Sequence, residues 1–295
     1  MSKTVYTLCV DNYTPEITAL TFPLMRAYAA KIGADFQVIT ERKYPEMPIT
    51  FEKFQVAEKA KERGDEWALF FDADTLIDPE MYDPTAVKGV GKETVMHNGN
   101  DFSAIRWRQD KYMMRDGRNI GSCTWCVIAS DWTYEDLWMK PDIPLEEILG
   151  NIFITVGEHN SGHCKTEHLI DDYLLSRNIA RYGLAFKTIA QLNAEKGMHG
   201  PNGQNVSPWL WHLYTLPNDV KIRMMLAVLS TPREQPAFPE RGQPMDTPQG
   251  PMLKTPDGRV IGACGRGWGL MSPQHADDFR KKWNIDQPVA RRVGA

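Results

Sequence analysis

The sequence predicts an α/β protein with a mostly parallel sheet and helices on its faces. Two observations carry that prediction. Strand and helix patterns alternate through the first eighty residues, and two acidic clusters stand directly after strand patterns. Residues 4–10 (TVYTLCV) form a β-branched, apolar run and read as a buried strand. Residues 20–32 (LTFPLMRAYAAKI) place apolar side chains at three- and four-residue spacing, with Gly33 where a helix ends. Residues 36–40 (FQVIT) read as the next strand, and residues 51–63 (FEKFQVAEKAKER) as an amphipathic helix stopped by Gly64. Residues 67–71 (WALFF) are apolar throughout, as expected of a strand covered on both faces. In sheets of this kind ligands bind beyond the carboxyl ends of the strands. Asp11-Asn12-Tyr13 and Asp72-Ala73-Asp74 both fall there.

The middle is less regular. Residues 123–129 (CTWCVIA) read as a strand, Asp131-Trp132-Thr133-Tyr134-Glu135 as a helix start, and residues 167–181 as a helix. Residues 209–213 (WLWHL) form a short apolar run before a helix at 219–229. Six prolines between 232 and 251 argue against regular helix or a central strand, so this stretch is expected to be an extended connector. An Asp257-Gly258 turn between two short strands and a helix from Ser272 to Trp283 follow. The expected organisation is a main domain over 1–230, a proline-rich connector over 231–252 and a small hairpin-helix extension over 253–295.

Composition bounds the function class. The 295 residues are 42% hydrophobic and 24% charged, enough to build a core without disulfide or metal staples. A net charge of −4 gives no general drive toward nucleic acid. No run of 18 apolar residues occurs, so neither a signal peptide nor membrane insertion is expected. Five scattered cysteines, an odd number, point to a reducing cytoplasm.

The most informative stretch runs from Glu66 to Asp78, where five apolar residues lead into two carboxylates one residue apart. Burying an unpaired charge is prohibitive, so such acids need a cation or water. Mg²⁺ and Mn²⁺ favour carboxylate oxygens and leave positions for phosphate. The plain alternative is two solvated acids at a strand end; the buried strand before them favours a metal at Asp72 and Asp74.

These residues resemble a known family. The order of features looks like that of the GT-A-fold glycosyltransferases, particularly retaining families 8 and 34. Val10-Asp11-Asn12-Tyr13 is similar to their first-strand motif that receives the nucleobase. Lys53 stands where they carry a basic residue near the diphosphate, and residues 66–77 resemble their metal-binding segment. Asn119 to Ser130 resembles a sugar-contacting strand, with a departure in spacing at Asn119, and residues 169–175 (LIDDYLL) resemble the segment facing the anomeric carbon. The resemblance covers about residues 4–215.

It implies a metal-dependent transfer of sugar from a nucleotide sugar, most simply a UDP-sugar, with retention. Asp11, Asn12, Tyr13, Lys53, Asp72 and Asn119 would hold the nucleotide sugar, with Mn²⁺ or Mg²⁺ on Asp72, Asp74 and a late histidine. His212 is preferred to His199 for that place. Asp172 would face the anomeric carbon beside Asp171, at a position where family 8 usually carries Gln; the alternative for this pair is a solvated helix surface. The acceptor is expected to be a glycan, a protein, a small molecule or a modified base of DNA, for which Arg106-Trp107-Arg108 with Lys111 and Arg115 would offer a local basic patch. Rival readings are a sugar nucleotidyltransferase, which would usually show a glycine-rich phosphate loop near residues 11–17, and a non-catalytic binding protein.

Other features read as structural. His159, His163, Cys164 and His168 match no common zinc spacing, and Cys123-x2-Cys126 lacks a second pair. The tryptophans at 125, 132, 138, 209 and 211 are expected mostly in the core, with an exposed one suited to stacking on a sugar or base. Residues 265–269 (GRGWG) are a weak phosphate-loop signal.

Overall fold

A computed structural model describes residues 2–97, 124–152, 166–195, 209–212, 217–230, 243–247, 250–254 and 260–262. In chain order the first elements are β1 (Lys3–Leu8), α1 (Pro15–Lys31), β2 (Asp35–Ile39), α2 (Gln55–Arg63), β3 (Trp67–Phe71), β4 (Thr75–Ile77) and β5 (Thr94–His97). They are followed by β6 (Cys126–Ser130), α3 (Tyr134–Leu137), α4 (Leu145–Gly150), α5 (Ile170–Tyr182), β7 (Ala185–Thr188), α6 (Ile189–Glu195), β8 (Leu210–His212) and α7 (Asn218–Ser230). Three more strands, β9 (Gln243–Thr247), β10 (Gly250–Lys254) and β11 (Val260–Gly262), form a separate antiparallel sheet.

The central sheet has six strands in the order β2-β1-β3-β6-β5-β7. Strand β6 is antiparallel to both neighbours, and every other pairing is parallel. The architecture is therefore a mostly parallel α/β sheet with helices on both faces, as the sequence predicts. Side chains alternate between its two faces. Tyr6, Ala68, Phe70, Val127 and Ala129 pack with α2, α3 and α5 on one side. Val5, Trp67, Leu69, Phe71 and Ile128 pack with α1 and α6 on the other. That two-sided burial explains why the β3 sequence has no polar position. Among the described residues no helix is long and apolar enough to cross a membrane.

Local chemistry sets several boundaries. Helix α1 starts at Pro15, five residues before the expected start, because proline at the first helical position loses no hydrogen bond there. The expected helix over 51–63 is a 3₁₀ turn over Ile49–Phe54 running into α2. Gly64 closes it with φ 69°, a left-handed conformation that costs other residues about 1–2 kcal/mol. The 3₁₀ turn over Thr166–Leu169 likewise precedes α5.

The expectation of no central strand among the prolines is corrected. Strand β10, which contains Pro251, lies between β9 and β11. Among the described residues pairing with β11 begins at Met252, one position beyond Pro251.

A two-stranded sheet follows the turn after β3. Strand β4 pairs antiparallel with β8, placing Thr75 opposite His212 and Ile77 opposite Leu210. Ile17 of α1, Leu76 of β4 and Met225 of α7 form a third apolar cluster beneath it, joined by Trp211 and Ile222.

Candidate functional site

The chain after β3 turns sharply. The Asp72 amide donates to the Trp125 carbonyl at 2.8 Å, and the Thr75 amide donates back to the Asp72 carbonyl at 2.9 Å. The Thr21 hydroxyl of α1 donates to the Ala73 carbonyl at 2.6 Å, so a helix on the sheet face also fixes the turn. The result aims two carboxylates at one point, and β8 brings His212 to it. His212 Nε2 lies 3.5 Å from Asp72 Oδ2 and 3.3 Å from Asp74 Oδ1. Its ring stacks on Trp125 at 5.0 Å between centroids and 14° between planes.

Each carboxylate divides its oxygens. Asp72 Oδ1 takes the Lys53 ammonium at 2.8 Å, leaving Oδ2 toward His212. Asp74 Oδ2 takes the Lys221 ammonium and, at 3.4 Å, the Tyr13 hydroxyl, leaving Oδ1 toward His212. Burial alone would raise the Asp72 carboxyl, but the Lys53 charge and His212 outweigh it and hold it below its ordinary range. At Asp74 burial is opposed in the same way by His212 and then Lys221, with the same net direction. Burial depresses the His212 imidazole, and Asp74 and Asp72 more than restore it. Both acids are thus held in the ionised form by the cations around them.

Ligand atoms of Asp72, Asp74 and His212 lie within 4.8 Å of one another. Two carboxylates and one imidazole form a donor set that suits Mn²⁺ or Mg²⁺, and their convergence from two chain segments, the 72–74 turn and β8, fits a shared ion.

A second buried network adjoins the first. Lys53 Nζ also binds Asp171 Oδ2 at 2.7 Å and lies 3.2 Å from the Thr124 hydroxyl oxygen. The Thr124 hydroxyl donates to that same Asp171 oxygen, and the Thr124 amide donates to Asp172 Oδ1 at 2.9 Å. Asp171 and Asp172 are therefore both buried and both hydrogen-bonded to donors, which the solvated-surface alternative did not expect. Burial works against the Lys53 charge, but Asp171 and then Asp72 raise its pKa overall.

Asp11 and Asn12 stand beyond β1 with φ of 52° and 53°, and Thr14 has φ 21°. Three non-glycine residues with positive φ within four positions mark a constrained loop of the kind that gathers at ligand sites. Asp11 is exposed and meets Arg42 Nη1 at 3.4 Å. Tyr13 instead turns its hydroxyl to Asp74, and burial, Asp74 and Asp72 all push its pKa up.

Sequence reasoning missed Lys221, Arg42, Thr124 and the positioning role of Trp125. Nothing in a lysine on an amphipathic helix points to a partner 147 residues away. Trp132 is exposed, but it follows the end of β6 opposite Trp67, at the other end of β3 from Asp72, away from the place where stacking on a ligand would serve the site. Asn119, His199, the basic patch over 106–115, His159, His163, Cys164 and the 265–269 loop lie outside the described residues.

No protein-family model matches the chain, and no curated protein sequence does. Among solved structures, a similar one is a glycosyltransferase involved in the glycosylation of the major capsid of PBCV-1. Its similarity covers 77% of this chain and 100% of that one, at a TM-score of 0.46 and 11% identity.

Proposed function

We propose that the chain is a metal-dependent glycosyltransferase that moves a sugar from a nucleotide sugar, most simply a UDP-sugar, to an acceptor with retention at the anomeric carbon. The observation that carries this reading is the convergence of Asp72, Asp74 and His212 at the carboxyl edge of a mostly parallel sheet, beside a buried Lys53–Asp171 pair.

Asp72, Asp74 and His212 would hold Mn²⁺ or Mg²⁺, which when bound stabilises the charge that builds on a departing diphosphate. Lys53 adds a desolvated positive charge beside Asp72, where it acts on the same leaving group. The constrained 11–13 loop receives the nucleoside, with Asp11 as an exposed acceptor and Arg42 as its orienting cation. Asp172, held by the Thr124 amide, is the carboxylate assigned to the sugar ring, where it steadies oxocarbenium character. Asp171 fixes Lys53 between the two networks. The acceptor class, glycan, protein, small molecule or DNA base, follows from product analysis once a donor is found.

The test is calorimetric titration of UDP with and without Mn²⁺, on wild type and on Asp74→Ala. Metal-dependent binding, weakened at least about tenfold in the variant, is the expected result. Absence of binding with any metal and any nucleotide would sink the reading. Slow hydrolysis of one UDP-sugar in a donor screen then identifies the sugar.

A further inference from the structure

Lys221 lies outside every role assigned above, yet it is the cation most intimately joined to Asp74. Its ammonium and the Tyr13 hydroxyl share one carboxylate oxygen, with Tyr13 Oη 3.4 Å from Lys221 Nζ. Among the described residues Asp74 is the only carboxylate within ion-pair reach of Lys221, whereas Lys53 divides its charge between Asp72 and Asp171. Lys221 is buried, so solvent screens its charge poorly. Its backbone is anchored as well. Asn218, at the start of α7, donates to the Thr14 hydroxyl at 2.8 Å, and Ile222 and Met225 pack in the cluster beneath β4.

We infer that Lys221 is the resident counter-ion of Asp74 and makes uptake of a divalent cation conditional on a nucleoside diphosphate arriving with it. The inference rests on the metal and nucleotide reading above. A dication held by Asp72, Asp74 and His212 shares the Asp74 carboxylate with a fixed ammonium, and like charges at that range repel strongly where water is scarce. A diphosphate supplies the negative charge that lets both cations stay. Tyr13 ties the same ammonium to the constrained loop after β1, so an occupant of that loop acts on the Lys221–Asp74 contact directly. Metal and nucleotide then bind with positive coupling, which is reciprocal by linkage.

The experiment titrates Mn²⁺ alone into the full chain, following free Mn²⁺ by electron paramagnetic resonance, and repeats it with saturating UDP. Wild type, Lys221→Met and Lys221→Arg are compared. Lys221→Met is expected to bind Mn²⁺ alone at least about tenfold more tightly than wild type, with Lys221→Arg close to wild type. UDP should tighten Mn²⁺ at least tenfold in wild type and much less in Lys221→Met. Equal Mn²⁺ affinity in wild type and Lys221→Met overturns the inference while leaving the metal site standing. No Mn²⁺ uptake by any variant, with or without UDP, overturns the metal reading and this inference with it. If Lys221→Met fails to fold by circular dichroism, Lys221→Gln, which keeps a donor to Asp74 without the charge, decides in its place.

Discussion

His212 is held by two kinds of force, an aromatic face against Trp125 and charge against Asp72 and Asp74. His97 shows the contrasting case of a histidine held by packing alone. It is fully buried at the end of β5, 5.6 Å from the Phe186 ring, and neither ring nitrogen has a hydrogen-bond partner among the described residues. Burial pushes its pKa down to about 4. The folded value lies below the unfolded value of about 6.5, so the unfolded chain binds the extra proton in that window. Stability is fully present above about pH 6.5 and falls as pH drops toward 4, by about 3 kcal/mol in all. Urea unfolding at pH 7 and at pH 4.5 should show this loss in wild type and a clearly smaller one in His97→Leu. Equal losses would mean the imidazole is charged in the folded chain. At this scale Asp72 and Asp74 were legible because acids that end a fully apolar strand demand compensation. Lys221 and Thr124 were not, because a lysine or threonine gains its meaning only from the group across from it.

Among the elements, the β4–β8 pair brings the two parts of the candidate site together. Three residues on each side carry Asp74 and His212 to the same place, and a slip of one position would set Trp211 opposite Thr75 and turn His212 to the other face. Leu76 pins that register by packing against Ile17 and Met225. Leu76→Ala should therefore cost about 3 kcal/mol in urea unfolding and also weaken metal uptake. A cost below about 1 kcal/mol would show that the small sheet does not depend on that cluster. The apolar run over 209–213 was visible in the sequence, but its partner strand was not. Thr75-Leu76-Ile77 is too short to carry a periodicity of its own, and β5 and β7 escaped notice for the same reason.

Across the whole molecule, β3 is the axis. It lies between β1 and β6, is buried along its length, and feeds directly into the acidic turn. Local openings that expose its amides require separating both neighbours, so the Leu69 and Phe70 amides are expected among the slowest to exchange with deuterium. The Asp35–Ile39 strand at the sheet edge should exchange far sooner. Comparable rates in the two strands would contradict the observed strand order. This arrangement also gives the candidate site its character: a doubly covered strand delivers Asp72 and Asp74, while the loop after β1 is held in unusual backbone geometry.

The sequence by itself determined the strand and helix alternation of the first eighty residues, the end of α2 at Gly64, the extent of β3 and the acids beyond it. Each is a local matter of side-chain period, terminal glycine or a charge that follows an apolar run. Tertiary structure alone decided that β6 runs against its neighbours, that β4 pairs with β8, and that Lys53 and Lys221 divide the two carboxylates between them. Those outcomes depend on partners separated by tens to more than a hundred residues, where pairing is chosen by the packing of whole faces and leaves no mark in the spacing of any one segment.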